Sequence, residues 1–130
     1  MKALLKNYHQ SPRKVRLVAN LVKGKKVADA IAELNFVNKR ASLPLKKAIE
    51  SAVANAVANF NQNKENLYVK DLTVDKGMVM RRYIPGARGT AYPIKKRMSR
   101  ISVTLDIKEE KKKETKKETK VTKKKAAKAK

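Results

Sequence analysis

Val74-Asp75-Lys76-Gly77-Met78-Val79-Met80-Arg81-Arg82-Tyr83-Ile84-Pro85-Gly86-Ala87-Arg88-Gly89-Thr90-Ala91-Tyr92-Pro93-Ile94-Lys95-Lys96-Arg97-Met98-Ser99-Arg100-Ile101 joins two apolar segments through a run rich in cations. Turn formers gather at its midpoint, in Ile84-Pro85-Gly86-Ala87-Arg88-Gly89, with Pro93 shortly after. On one side Leu67, Val69, Leu72 and Val74 read as strand; on the other Ile101, Val103, Leu105 and Ile107 alternate with polar neighbours. Such Val- and Ile-rich segments suit a pleated, half-buried surface. The pattern predicts an antiparallel hairpin whose projecting part runs from about 76 to 100.

That part contains Lys76, Arg81, Arg82, Arg88, Lys95, Lys96, Arg97 and Arg100 and no acid. From Asp75 to a tip near Ala87 an extended strand covers roughly 40 Å, at about 3.3 Å per residue. A body of this size is only about 26 Å across, for a radius of gyration of about 13 Å. The hairpin therefore projects. Two strands alone are marginal in water, and uncompensated cations make them worse, so a surrounding polyanion is expected to order them. Met78, Val79, Met80, Tyr83, Ile84 and Tyr92 lie beyond reach of the body's core. Tyr83 and Tyr92 have two readings: stacking on unpaired bases, at about 1–3 kcal/mol per base, or packing on each other across the hairpin. Gly86-Ala87-Arg88-Gly89 fits the Gly-x-x-Gly clamp of KH domains, but that clamp joins two helices, and here strands lead away.

Working outward, Ala3–Tyr8 reads as a short strand. Ser11 is then an N-cap and Pro12 the first residue of a helix carrying Val15, Val18, Leu21 and Val22, with Gly24 as its stop. Val27, Ala30, Ile31 and Leu34 mark a second helix. A third is predicted over about 38–61 on the stripe Ala41, Leu45, Ala48, Ile49, Ala52, Ala56 and Phe60, with Pro44 kinking its first turns. The order implies an α+β domain in which three helices pack on a small antiparallel sheet.

The 130-residue chain carries 34 Lys and Arg against 11 Asp and Glu, a net charge of +23. That balance is the electrostatic footprint of a nucleic-acid binder. It is 42% hydrophobic but only 5% aromatic and lacks Trp, so the core must be aliphatic. Residues 108–130 hold +8 of the charge in a Lys, Glu, Thr and Ala segment that cannot bury enough apolar surface to order itself. They read as a disordered tail with non-specific phosphate affinity, which leaves a 1–107 domain of +15. No apolar run approaches a membrane span, and the opening residues are too short for a signal peptide. The chain reads as cytoplasmic, with no membrane partner.

Catalysis finds no support. Cys is absent and His9 is the only histidine, so neither a metal site nor a cofactor is expected. The acids Asp29, Glu33, Glu50, Glu65, Asp71, Asp75 and Asp106 are scattered. Asp29 and Glu33 are read as offsetting Lys25 and Lys26. No phosphate-binding Gly-rich loop or nucleophile elbow is present. His9 is read as structural or an incidental RNA contact.

The first helix opens Ser11-Pro12-Arg13-Lys14-Val15-Arg16. Cations in a first turn oppose the helix dipole by about 0.3–1 kcal/mol each. Phosphates near the helix N-terminus would offset that. Lys23, Lys25 and Lys26 extend this into a second basic surface. The residues expected to meet RNA are thus Ser11, Arg13, Lys14, Arg16, Lys23, Lys25 and Lys26, with Lys76, Arg81, Arg82, Lys95, Lys96, Arg97 and Arg100 on the hairpin.

Ser11-Pro12-Arg13-Lys14-Val15-Arg16-Leu17-Val18-Ala19-Asn20-Leu21-Val22-Lys23-Gly24-Lys25 resembles the helix signature of the bacterial large-subunit ribosomal protein twenty-two family. Glu50-Ser51-Ala52-Val53-Ala54-Asn55-Ala56 resembles its third helix, and Leu67-Tyr68-Val69 with the run from Val74 to Ile101 resembles its long hairpin. The resemblance covers residues 1–107 in register. It implies a body on the outside of the large subunit near the exit of the nascent-peptide tunnel, and a hairpin threading inward through ribosomal RNA. It also implies early binding of that RNA, a part in subunit assembly, and a tip in the tunnel wall at a constriction shared with ribosomal protein four. By matching position the tip is Met80, Arg81, Arg82, Tyr83, Ile84, Pro85, Gly86, Ala87, Arg88, Gly89, Thr90 and Ala91, facing the nascent polypeptide. Changes there affect macrolide response in the family. The common tip, Pro-Arg-Ala-Arg/Lys-Gly-Arg-Ala, differs here: two arginines are Gly86 and Thr90, and another common Arg is Pro93. The alternative from another class is a DNA-bending architectural protein whose basic β-arm inserts Ile84-Pro85 as a wedge. It would need paired arms, and the helix signatures argue against it. A membrane-active cationic protein is more distant, since no helix pairs a basic face with large aromatics.

Overall fold

In the computed structural model, which describes residues 1–107, the alternation at residues 67–107 becomes two long strands. The elements in order are β1 (Lys2–Tyr8), α1 (Pro12–Val22), α2 (Val27–Phe36), α3 (Ser42–Phe60), a 3-10 turn at Lys64–Asn66, β2 (Leu67–Pro85), a 3-10 turn at Ala87–Gly89, and β3 (Ala91–Ile107). The sheet has the order β1-β3-β2, with both pairings antiparallel. This is the expected α+β arrangement. The expectations for the tail fall on residues 108–130 and lie outside the described residues.

Side-chain parity builds the core. On β3, Ile101, Val103 and Leu105 are buried, as period two requires of one face. Their partners on β2 are Val74, Leu72 and Val69, which break strict alternation between 69 and 72. The register explains it: Val69 pairs with Leu105 and Asp71 with Thr104, so Lys70 is the extra residue of a bulge. One inserted residue restores the inward face. Against that face lie Val15, Val18, Ala19 and Val22 of α1, Val27, Ala30 and Leu34 of α2, and Leu45, Ala48, Ile49, Ala52, Val53 and Ala56 of α3. Burial of each large aliphatic side chain contributes about 1.5–3 kcal/mol.

Several local expectations change. Ser11 takes the N-cap position of α1, but its side chain makes no capping hydrogen bond. Leu21 is exposed and Ala19 takes its place in the core. Phe60 is 56% exposed because α3 ends there, with Asn61 left-handed at φ 48°. Helix α3 begins at Ser42, since Ser42 N–H bonds the Lys39 carbonyl and its hydroxyl the Val37 carbonyl in a turn. Pro44 consequently falls in the first turn, where its missing N–H has no intrahelical partner to lose, and the helix runs on unbroken.

A second bulge lies where the hairpin leaves the body. Lys76 pairs with Ser99 and Val79 with Arg97, so Gly77 and Met78 together oppose Met98. A Cβ at Gly77 would lie 3.1 Å from the Met98 carbonyl carbon. The close neighbour is backbone, which cannot swing aside. Gly77→Ala is expected to destabilise the domain by about 1–3 kcal/mol, seen as a Tm lower by about 4–8 °C per kcal/mol in a thermal melt followed by circular dichroism.

Candidate nucleic-acid interface

Beyond Val74 no residue of β2 is buried, yet the ladder continues pair by pair from Val79–Arg97 to Pro85–Ala91. The hairpin is therefore held by backbone pairing rather than by a core. Its turn is closed by Gly86 N–H to the Thr90 carbonyl at 2.7 Å and Thr90 N–H to the Ala87 carbonyl at 3.3 Å. Arg88 and Gly89 both have positive φ, 56° and 74°. Pairing at Tyr83–Pro93 and Ile84–Tyr92 puts the two tyrosines on opposite faces. They do not pack on each other. Tyr92 lies instead over Gly86, where a Cβ would come within 2.2 Å of its ring. A side chain at 86, such as the arginine common in the family resemblance, would thus have to displace that ring.

Period two also sorts the cations. Arg97, Arg81 and Lys95 share one face of the hairpin, the one continuous with Ile101, Val103 and Leu105 under the helices. Lys96 and Arg82 share the other face with Met80, Ile84, Ile94 and Tyr92. At the hairpin root the helix-side face meets the start of α1. Arg13 and Lys14 from the helix, Lys76 and Arg97 from the hairpin, and Ser11 and Arg16 line one groove, with no acid among the residues that line it. A neighbouring groove gathers His9, Gln10, Lys14, Arg40, Lys95 and Lys96.

The second basic surface is divided. Helix α1, about 16 Å long at 1.5 Å per residue, puts its first turn at the hairpin root. Its other end meets the start of β2, where Gly24 N–H bonds the Val69 carbonyl and Val69 N–H the Lys25 carbonyl. Lys23, Lys25 and Lys26 lie at that far end. Lys23 pairs with Asp71 at 2.7 Å and Lys25 with Glu33, while Lys70 pairs with Asp106 at 2.6 Å. Arg16 is committed at the near end: its Nε and Nη2 donate to the Val74 carbonyl at 2.9 and 2.7 Å. At the hairpin, Arg82 folds back to donate to the Arg81 carbonyl, while Arg100 lies opposite Asp75 in the strand register.

Sequence reasoning missed two contributors. Ser99 is fully buried and donates to the Gln10 carbonyl. Its signal was present, because Ser99 occupies the inward phase of Ile101 and Val103, where a polar residue needs a partner. Arg40 had no such signal, since only the fold carries it beside Lys95 and Lys96. Among the described residues, no three His, Cys, Asp or Glu side chains gather to hold a metal, and no helix is long and apolar enough to cross a membrane.

The Lys23 hydrogen bond holds the Asp71 carboxyl below its ordinary range, and Lys70 does the same for Asp106. A depressed folded-state value gives stability that is present above the unfolded value and lost as pH falls through the folded one. Lys23→Ala is expected to move the Asp71 midpoint upward while leaving that of Asp106 in place, as read by carboxyl-carbon NMR titration.

Among known proteins, the family described as ribosomal protein L22p/L17e matches residues 3–106. The large ribosomal subunit protein uL22 of Herpetosiphon aurantiacus is 46% identical over 105 residues, covering 81% of this chain and 93% of that protein.

Proposed function

The chain belongs to the ribosomal protein L22p/L17e family, whose members are proteins of the large ribosomal subunit, and from that premise we propose that it binds large-subunit ribosomal RNA through the groove at the hairpin root. As a large-subunit protein it works in the ribosome, in the cytoplasm, as a structural constituent. The observation that carries the reading is the convergence of Arg13 and Lys14 with Lys76 and Arg97 in one groove with no acid lining it. Four cations brought together from two elements repel one another until phosphates enter the groove. The first turn of α1 adds the positive end of a helix dipole, suited to phosphate. Ser11 makes no side-chain cap there, and with Pro12 lacking an N–H and Lys14 N–H bonded to the Ser11 carbonyl, the Arg13 N–H is the donor that turn can offer.

Along the shaft, Arg81, Lys95, Lys96, Arg97 and Arg100 contact phosphates of RNA on either side, and Lys23, Lys25 and Lys26 meet RNA at the far end of α1. The tip, Met80–Ala91, lines the nascent-peptide exit tunnel beside ribosomal protein four and faces the nascent polypeptide. There Arg88 is the main cation of the turn itself, and Gly86 under the Tyr92 ring gives a smooth, charge-poor surface. The role is non-enzymatic and supports early assembly of the subunit.

Three measurements test this. In a lysate the tagged full chain is expected to co-sediment with large subunits; recovery with free DNA or membranes instead would overturn the reading. In binding to a large-subunit ribosomal RNA fragment, Lys14→Ala with Arg97→Ala is expected to weaken affinity and to lower the slope of log K against log salt by about 0.7–0.9 for each phosphate no longer neutralised. Deleting 78–92 is expected to preserve initial docking by the body, and loss of all RNA binding on that deletion would refute the division between root and tip.

A further inference from the structure

Resting on the reading of the root groove as an RNA site, we propose that Arg16 is a positioning residue that fixes the direction of the hairpin before RNA arrives. Val74 is the last buried residue of β2, and its carbonyl accepts two N–H groups from Arg16 across 58 residues of sequence. Strand β2 lies at the edge of the sheet, so this donor comes from a helix rather than a further strand. Just beyond it the ladder is interrupted by the Gly77–Met78 bulge, the point at which a two-stranded arm is least constrained. On the other strand Ser99 is tied to the Gln10 carbonyl, in the segment leading into α1. Both strands of the root are therefore fastened to the same stretch of chain.

The fastening has something to resist. Arg13 and Lys14 on α1 and Lys76 and Arg97 on the hairpin face one groove with no acid to separate them. Their repulsion drives the hairpin away from the helix. Arg16 spans that gap with a guanidinium whose planar fork delivers two donors to one oxygen, whereas a lysine would deliver one. The arm thus keeps a preset trajectory while its binding groove stays unneutralised, and the ordering cost is met in folding rather than on binding.

The chain has no cysteine, so spin labels at Ser51→Cys on α3 and Thr90→Cys at the tip report the body-to-tip distance in the free full-length protein. The native background is expected to give one narrow distance distribution, unchanged between about 0.05 and 1 M salt. Arg16→Met is expected to broaden it at low salt and to narrow again at high salt, as the screening length falls from over 10 Å to about 3 Å. Arg13→Met removes the same charge from the groove without removing the tie, and should stay narrow. A distribution for Arg16→Met matching the native one at both salts, or equal broadening in Arg13→Met, would overturn the proposal. If Arg16→Met lowers the Tm of the body, Arg16→Lys decides: a width between the native and Met variants supports the tie, and native width refutes it. No RNA is present in the measurement, so its failure leaves the groove reading standing, and failure of the native chain to bind RNA leaves the tie standing.

Discussion

The antiparallel ladder between β2 and β3 holds the body and the projecting arm in one continuous sheet. It runs from Leu67–Ile107 in the body to Pro85–Ala91 beside the tip. One set of hydrogen bonds therefore serves two environments. In the lower half, inward side chains are covered by three helices and the ladder is supported by a dry aliphatic core. In the upper half the same backbone pairing continues without cover.

Two bulges adapt this ladder to its tasks. The one at Lys70 corrects the parity of β2 so that Val69 and Leu72 both face the helices. The other, at Gly77 and Met78, separates the supported half from the projecting half. Its glycine suits the close approach of the Met98 backbone, where a Cβ would be crowded at 3.1 Å. Bulges bend strands and increase their twist, so the second one lies where the direction of the arm is set.

Charge is distributed with the same economy. The body's carboxylates are used where cations would otherwise crowd the start of β2: Asp71 with Lys23, Glu33 with Lys25, Asp106 with Lys70. These pairs are largely exposed and contribute little stability individually. Their effect is on where the uncompensated charge remains. It remains at the hairpin root and along the shaft, on the surfaces proposed to meet RNA, and the tip beyond the last arginine pair is comparatively poor in charge.

The elements, and the excess of positive charge that favours a polyanion, are legible in the residues alone. Period two in residues 67–107, period 3.6 in the helices and the turn formers at 84–89 are local signals, because each reflects which side of a strand or helix meets water. The excess of Lys and Arg needs no structure to be read. Which cations share a surface depends on how the elements dock. Arg13 and Arg97 lie far apart in the chain yet line one groove, while Lys23, near Arg13 in sequence, belongs to the other end of the body. Sequence proximity along α1 suggested one patch; the helix's length divided it into two. The roles of Arg16 and Ser99 were decided in the same way, since a side chain bonded to a carbonyl 58 or 89 residues away is set by packing. Local pattern fixes an element's faces, and only the docking of elements fixes what those faces meet.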